Sequence, residues 1–448
     1  MKSKTNSRQI AAKTLWRVEV KDAFADITLD NLFNKYRPRT EDRALATEIT
    51  YGVLRWRLFL HHYLAQVSER PLSKIDRNAR IALEVGAYQL LLLDRVPARA
   101  AVNESVEAAP DKGRGFVNAV LRALASKKDE LKGPEIIEDE AERISVELSH
   151  PRWMVDHWIS QIGIDGTREL CRANNKRPPL TLRVNRVRTG RAAFMRILEK
   201  EGVECREGAY SPLAVVLSGS ADVTSLPGYD DGLFAVQDEA SQLVPLVLQP
   251  RPNENILDSC AAPGTKSLQI MEMMDGKGRV AAVDIHQGRL SRMAEEALRL
   301  GIKNVTRVVG DAAGKIEFPK KLGGAVFDRL LVDAPCTGLG TIRRRPEIKW
   351  KRKPEEVEGR SKLQRAILKN VKRYLKPGGT LVYSTCTTTV EENERAVALL
   401  LHSDEFTQLD PAEGLSPLSA VTKNRMVRTW PHITGTDGFT IFKLKKKK

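Results

Sequence analysis

From residue 241 onward, six short runs of apolar, strand-favouring residues alternate with helical stretches, and that alternation leaves few folds open. The runs stand at 256–258, 280–283, 305–309, 327–332, 380–384 and 439–444. Strands separated by amphipathic helices predict βαβ units, and so an α/β fold built on a parallel, doubly wound, Rossmann-like sheet. One linking helix carries Leu363, Ile367, Val371 and Leu375 on a single face and is expected to stop at Pro377-Gly378-Gly379. Acidic residues close or follow four of the runs: Asp258, Asp284, Asp311 and Asp333. Ligands of open α/β sheets bind where the strands end, so four carboxylates on that edge predict a polar cofactor rather than a core.

Two cysteines share that edge. Cys336 closes DAPC after Leu330, Leu331 and Val332, and Cys386 closes STC after Leu381, Val382 and Tyr383. The commonest fate of a free cysteine is to serve as a small buried hydrophobe, but two thiols at strand ends point to chemistry. The first strand-turn-helix reads ILDSCAAPGTKSLQIM. It lacks the GxGxxG of dinucleotide binding, and with Ser259 in place of the first glycine it lacks a P-loop as well. A turn of small residues around Gly264 still lets backbone N–H groups meet a ligand carboxylate at a helix N-terminus. Asp284 suits a ribose diol, and Asp311 an exocyclic amine. Amino acid, ribose and adenine together make S-adenosylmethionine.

Upstream the pattern is helical. Leu45, Ile49, Val53, Trp56 and Leu60 recur at three to four residues, as do Ile81, Val85, Tyr88 and Leu92, and a last stripe runs through Phe116, Val120, Leu121 and Leu124. A charged stretch at 127–143 then separates this module from a segment mixing a Trp153/Trp158 helix with short β-like runs. Three parts are therefore expected: an all-helical domain at 1–142, a small α/β subdomain at 143–240, and the α/β sheet domain at 241–448.

Seventy-three Lys and Arg against fifty-seven Asp and Glu give a net charge of +16, which calls for an anionic partner. Residues 343–353 (RRRPEIKWKRK) hold seven cations against Glu347, and Trp350 among them is able to stack on a base, so Arg343, Arg344, Arg345, Lys349 and Trp350 are the candidate nucleic-acid contacts. The five lysines within 443–448 read equally well as a solvated tail. No apolar run approaches the ~20 residues of a membrane span, and the N-terminus has no signal-peptide segment, so a cytoplasmic protein away from membranes is expected. Five cysteines without CxxC, and histidines without HExxH or HxxxH spacing, argue against disulfides and metal.

Seven motifs in order carry a resemblance: QDEASQL at 237–243, CAAPGTK at 260–266, VDIHQGRL at 283–290, GDA at 310–312, DAPCTGLGTIRRRPEIKW at 333–350, YSTCTTTVEENE at 383–394 and DGFTIFKL at 437–444. With them the chain resembles, over nearly its whole length, the bacterial Sun/Fmu (RsmB-type) RNA 5-methylcytosine methyltransferases. FVNAVLRAL at 116–124 makes the helical part similar to the RNA-binding fold of the antitermination factor NusB. Two positions depart from the family's usual pattern: Thr265 stands where it has glycine, and Thr440 where it has an aromatic.

The resemblance implies a Rossmann-like methyltransferase domain that uses S-adenosylmethionine on a cytosine of small-subunit (16S) ribosomal RNA. Carbon 5 of cytosine is too weak a nucleophile unaided, so a thiolate must first add to carbon 6. By resemblance that thiolate is Cys386, with Asp333 as the acid at the ring nitrogen, Lys266 holding Asp333 or the base, and Cys336 assisting release. The implied cofactor cradle is Cys260, Ala261, Ala262, Pro263, Gly264, Thr265, Lys266, Asp284, Arg289, Asp311 and Asp333. The implied partner is the ribosomal RNA before full ribosome assembly, met by a monomer. A tRNA-directed relative and a non-catalytic RNA-binding factor are the competing readings, and the intact Cys336, Cys386, Asp333 and Lys266 count against the second. A nicotinamide oxidoreductase is disfavoured by the missing GxGxxG.

Overall fold

The computed structural model describes residues 6–219, 221–322 and 326–448. It divides into two compact units, Met1–Arg177 with Ile342–Arg352, and Pro178–Thr341 with Lys353–Lys448.

The first unit is helical. Asn6 starts it with a capping box, its side chain accepting from Gln9 N–H at 2.9 Å while Gln9 Oε1 accepts from Asn6 N–H at 3.3 Å. The stripes read from sequence become helices Thr40–Val67, Arg77–Leu92 and Arg114–Lys127, and Ile49, Val53, Leu60, Ile81, Val85, Leu121 and Leu124 form the buried core. This compact unit runs on past residue 142, to Arg177. The charged stretch is not a bare linker, because Asp139 caps helix Glu140–Glu147 by accepting from Glu142 N–H at 2.7 Å. That helix packs on Thr40–Val67, and helix Arg152–Asn175 follows it into the same unit.

Helix Thr40–Val67 breaks its own ladder at Trp56 (φ −116°, ψ 15°). Just beyond the break, Leu58 N–H donates to Ser149 Oγ at 2.9 Å. Just before it, the carbonyls of Leu54 and Arg55 accept from the Trp350 indole N–H (2.7 Å) and from Lys349 Nζ (3.0 Å). A buried carbonyl needs a partner, and the segment Ile342–Arg352 supplies two from far along the chain.

The second unit holds two sheets. Strands β1 (Leu180–Val184), β2 (Cys205–Glu207), β3 (Ala214–Leu217) and β4 (Phe234–Val236) pair antiparallel in the order β2-β3-β1-β4. The larger sheet contains every run read from sequence: β5 (Asn255–Asp258), β6 (Arg279–Asp284), β7 (Val305–Val309), β8 (Phe327–Asp333) and β9 (Leu375–Thr385) lie parallel in the order β7-β6-β5-β8-β9. Strands β10 (Phe406–Leu409), β11 (Thr422–Lys423), β12 (Met426–Arg428) and β13 (Thr440–Lys446) extend it as an antiparallel edge beyond β9. The sheet is therefore mixed. Leu257, Leu330, Val332, Leu381 and Tyr383 bury one face, and Ile256, Leu331, Val382 and Ile441 the other, which is why these runs read as apolar throughout.

Two sequence expectations change here. Leu375 belongs to β9, so helix Pro354–Val371 stops before Pro377-Gly378-Gly379. The terminal lysines are only partly solvated: β13 runs to Lys446, whose ammonium donates to the carbonyls of Lys372 (3.0 Å) and Leu375 (2.9 Å), and Lys443 is buried, while Lys445, Lys447 and Lys448 are exposed. Among the described residues no helix is long and apolar enough to cross a membrane.

Candidate active site

The carboxyl ends of β5, β6, β8 and β9 build the site. After β5 the chain turns through Cys260–Gly264 into helix Thr265–Met273. Gly264 has φ +110°, and a Cβ there would stand 2.3 Å from Met293 Cγ, so the turn requires glycine. Ala261 N–H donates to Val283 O at 2.8 Å, and Ala262 N–H to Asp284 Oδ2 at 3.1 Å. The other Asp284 oxygen accepts from His286 N–H at 2.9 Å, while Arg289 donates to Ala262 O at 2.7 Å. Exposed Ile285 and Val309 follow at the ends of β6 and β7, an apolar surface beside the Asp284 carboxylate.

Asp258 is buried beneath this turn and accepts from Ser267 Oγ at 2.6 Å. Burial raises its pKa to about 7, and nearby Asp333 adds to the effect. Burial likewise pushes the Cys260 thiol up. Asp311, by contrast, is exposed and caps a turn by accepting from Ala313 N–H at 2.8 Å.

Next to the turn, Lys266 Nζ pairs with Asp333 Oδ2 at 2.7 Å, and Ser384 Oγ donates to Asp333 Oδ1 at 2.7 Å. Burial alone would lower the Lys266 pKa; Asp333, reinforced by Cys386 and Asp258, reverses the sign and holds it above the ordinary lysine value. The same ammonium lies 5.2 Å from the Phe439 ring centroid. The two thiols meet here, with Cys336 Sγ 3.2 Å from Cys386 Sγ and both free. Its contact with the Cys386 sulfur, together with burial, drives the Cys336 pKa well up.

The comparisons with known proteins fit this geometry. Residues 245–445 match the 16S rRNA methyltransferase RsmB/F model, residues 5–126 the NusB family, and residues 150–224 the ferredoxin-like domain of RsmF/B-like methyltransferases. The chain is 34% identical over 452 residues to a probable ribosomal RNA small subunit methyltransferase B of Bacillus subtilis, covering 99% of both. It is 36% identical to ribosomal RNA small subunit methyltransferase B of Klebsiella pneumoniae, with both chains fully covered. It belongs to the RsmB/F family of rRNA methyltransferases. Among solved structures, PH0851 superposes with a TM-score of 0.82 at 26% identity over 100% of this chain and 99% of that one. A methyltransferase homologue from Pyrococcus horikoshii, also 26% identical, gives 0.58 over 69% of this chain and 100% of its own.

Within this family frame, the expected cofactor and catalytic residues Cys260 to Lys266, Asp284, Arg289, Asp333, Cys336 and Cys386 converge on one sheet edge, with Asp311 on the exposed rim. The expected RNA contacts separate. Arg345 is exposed, 4.9 Å from the Phe24 ring, and Arg344 is half-buried. Arg343 is buried, its carbonyl accepting from Arg55 at 3.3 Å. Lys349 is 1% exposed and spends all three donors internally, on Arg55 O (3.0 Å), Ser149 O (3.0 Å) and Asn175 Oδ1 (2.7 Å). Trp350 packs against the helical core under the Arg57 guanidinium. Lys349 and Trp350 are thus internal fasteners in this fold, not surfaces for a phosphate or base.

Several residues outside the sequence reading hold the site. Glu392 accepts from Thr337 N–H (2.8 Å), Thr337 Oγ1 (2.6 Å), Thr389 Oγ1 (2.9 Å) and Gln364 Nε2 (3.2 Å), tying the loop after Cys336 to the loop after Cys386. Gly340 N–H donates to Cys386 O at 3.0 Å, and Gly438 N–H to Gly340 O at 2.7 Å. Fully buried Arg183, in β1, grips Glu272 at 2.6 and 3.2 Å and Thr265 O at 2.9 Å, fixing the cofactor-side helix to the small sheet. Of the two departures from the family pattern, Thr440 has structural work, its hydroxyl donating to Thr387 O at 3.0 Å in the loop beyond Cys386, whereas residue 265 contributes a backbone carbonyl that glycine would supply equally.

Proposed function

We propose that the protein transfers the methyl group of S-adenosylmethionine to carbon 5 of a cytosine in small-subunit (16S) ribosomal RNA, through a covalent adduct of Cys386. The observation that carries the reading is the pair of thiols 3.2 Å apart beside the Lys266–Asp333 ion pair, at the ends of neighbouring parallel strands.

The turn residues fit the cofactor. The Gly264 cradle, the held Asp284 carboxylate and the apolar Ile285/Val309 surface match an amino acid, a ribose and a base. When bound there, S-adenosylmethionine supplies an electrophilic methyl group. The chain's own residues prepare the acceptor. The Cys386 thiolate adds to carbon 6, and the electron pair moves to the ring nitrogen, which Asp333, held by Lys266 and Ser384, protonates as the acid. Carbon 5 is thereby made nucleophilic toward the methyl group. Once it is methylated, Cys336 takes the carbon 5 proton, and the electron pair of that bond re-forms the double bond between carbons 5 and 6 and expels Cys386 as a thiolate.

Arg344 and Arg345 serve as backbone contacts for an unpaired or flipped base presented to the site. The substrate is the RNA before full subunit assembly, and the protein acts as a cytoplasmic monomer. Bisulfite sequencing of total RNA from cells with and without the gene tests the reading. One small-subunit cytosine should lose its protection; unchanged small-subunit RNA overturns the assignment.

A further inference from the structure

At the opposite edge of the larger sheet, where β5 and β8 begin and β10 and β13 end, the second unit carries a strongly polar cleft of about 340 Å³. Five cations line it (Arg251, Arg329, Lys376, Lys443 and Lys445) against three carboxylates (Glu254, Asp328 and Glu413). Two of the cations are already matched. Arg329 forks Glu254 at 2.6 and 3.0 Å, and Lys376 meets Asp328 at 2.6 Å.

Lys443 is different. It is only 3% exposed, yet its ammonium bonds to a neutral partner, Gln249 Oε1, at 2.7 Å, with no carboxylate in ion-pair range among the described residues. An ammonium has three donors, and a cation taken out of water without a counter-charge is costly, so two donors and a positive charge face the cleft. Burial lowers the Lys443 pKa; Glu413 and Asp410 oppose that, while Arg329 and Arg251 add to it. Strand alternation puts Lys445 on the same face of β13, and Arg251 stands exposed at the rim. Seven residues of β8, at ~3.3 Å each, put this cleft roughly 20 Å from Asp333, well clear of the thiols.

We propose that this cleft binds a phosphate group, with Lys443 at its floor and Arg251 and Lys445 at its mouth. The group belongs either to the backbone of the RNA substrate or to a free phosphate compound. The first source rests on the proposed function and the second does not.

The test uses the full chain, with inorganic phosphate and a single-stranded RNA oligonucleotide as probes. Three forms are compared: wild type, Lys443→Gln, and the rim double variant Arg251→Gln/Lys445→Gln, whose exposed side chains spare the fold if Lys443→Gln fails to fold. Phosphate at constant ionic strength should raise the Tm of the wild type more than chloride does, and the rim variant should lose most of that rise. If the source is RNA, the rim variant should also bind the oligonucleotide more weakly, with the salt slope reduced by about 0.7 for each phosphate no longer held. Either loss supports the proposal, and which one appears identifies the source. A phosphate response equal to chloride, or one retained by the variants, together with an unchanged RNA salt slope, overturns it. Loss of the phosphate response with no methylation activity in any form would leave the cleft standing and the proposed function fallen.

Discussion

Cys336 Sγ and Cys386 Sγ lie 3.2 Å apart at the ends of adjacent strands, close enough that whichever sulfur attacks the base, the other stands at the same bond. The contact also divides them chemically, because it pushes the Cys336 pKa well up.

The two thiols should therefore fail differently when replaced. Cys386→Ala should form no covalent adduct with labelled RNA and S-adenosylmethionine, since carbon 6 then lacks its nucleophile. Cys336→Ala should accumulate protein linked to RNA on a denaturing gel. An adduct that persists in Cys386→Ala and is missing from Cys336→Ala would exchange their roles.

Cofactor affinity should depend on Asp284, whose two oxygens hold the turn at Ala262 and His286. Asp284→Ala should weaken S-adenosylmethionine by about 1.5–3 kcal/mol for each charged hydrogen bond removed. Titration calorimetry reading the wild-type Kd in this variant would remove Asp284 from the site.

Glu392 touches neither cofactor nor base in the proposed mechanism, yet four donors converge on it from both thiol-bearing loops and from Gln364. Glu392→Ala should cost on the order of 4 kcal/mol in stability through orphaned buried donors. In the folded fraction it should lower kcat while leaving the cofactor Kd unchanged. A matched loss of cofactor affinity would mean the whole sheet edge had collapsed.

The helical unit should respond to acid through Glu84. Burial alone would raise the pKa of this carboxyl, but Arg57, His61 and Arg80 overcome it and hold the pKa at about 2. A depressed folded pKa stabilises above the unfolded value and is lost as pH falls from the ordinary 4.5 toward 2, a contribution of about 3 kcal/mol. Urea midpoints across that window should fall steeply for the wild type and more gently for Glu84→Gln, which should already be weaker at pH 7. Equal slopes would show that Glu84 does not carry the effect.

Much of the site was legible because its strands are buried on both faces and so read as unbroken apolar runs, with Asp258, Asp284 and Asp333 marking their ends. The antiparallel strands β10 to β12 are two to four residues long, too short for a period to show. Glu392 lay inside VEENE, where one buried carboxylate looks like its solvated neighbours. The run at 343–353 misled for a related reason. Charge suggests solvent or phosphate, but Lys349 is spent on internal carbonyl oxygens and Lys351 on Ala23 O and the Asp22 carboxylate, and nothing local in sequence announces the break at Trp56 that leaves Leu54 and Arg55 seeking donors.

That break has a consequence in time. The carbonyl of Leu54 waits for a donor 296 residues later in the chain, so during synthesis the first eight helices are made long before their last partner leaves the ribosome. Until Trp350 and Lys349 arrive, the nascent helical unit holds a buried notch with two unanswered carbonyls, each worth about 1–3 kcal/mol if left unsatisfied. Its completion is therefore coupled to the appearance of the segment just beyond Cys336. A fragment ending at Arg177 would remain in that unfinished state permanently.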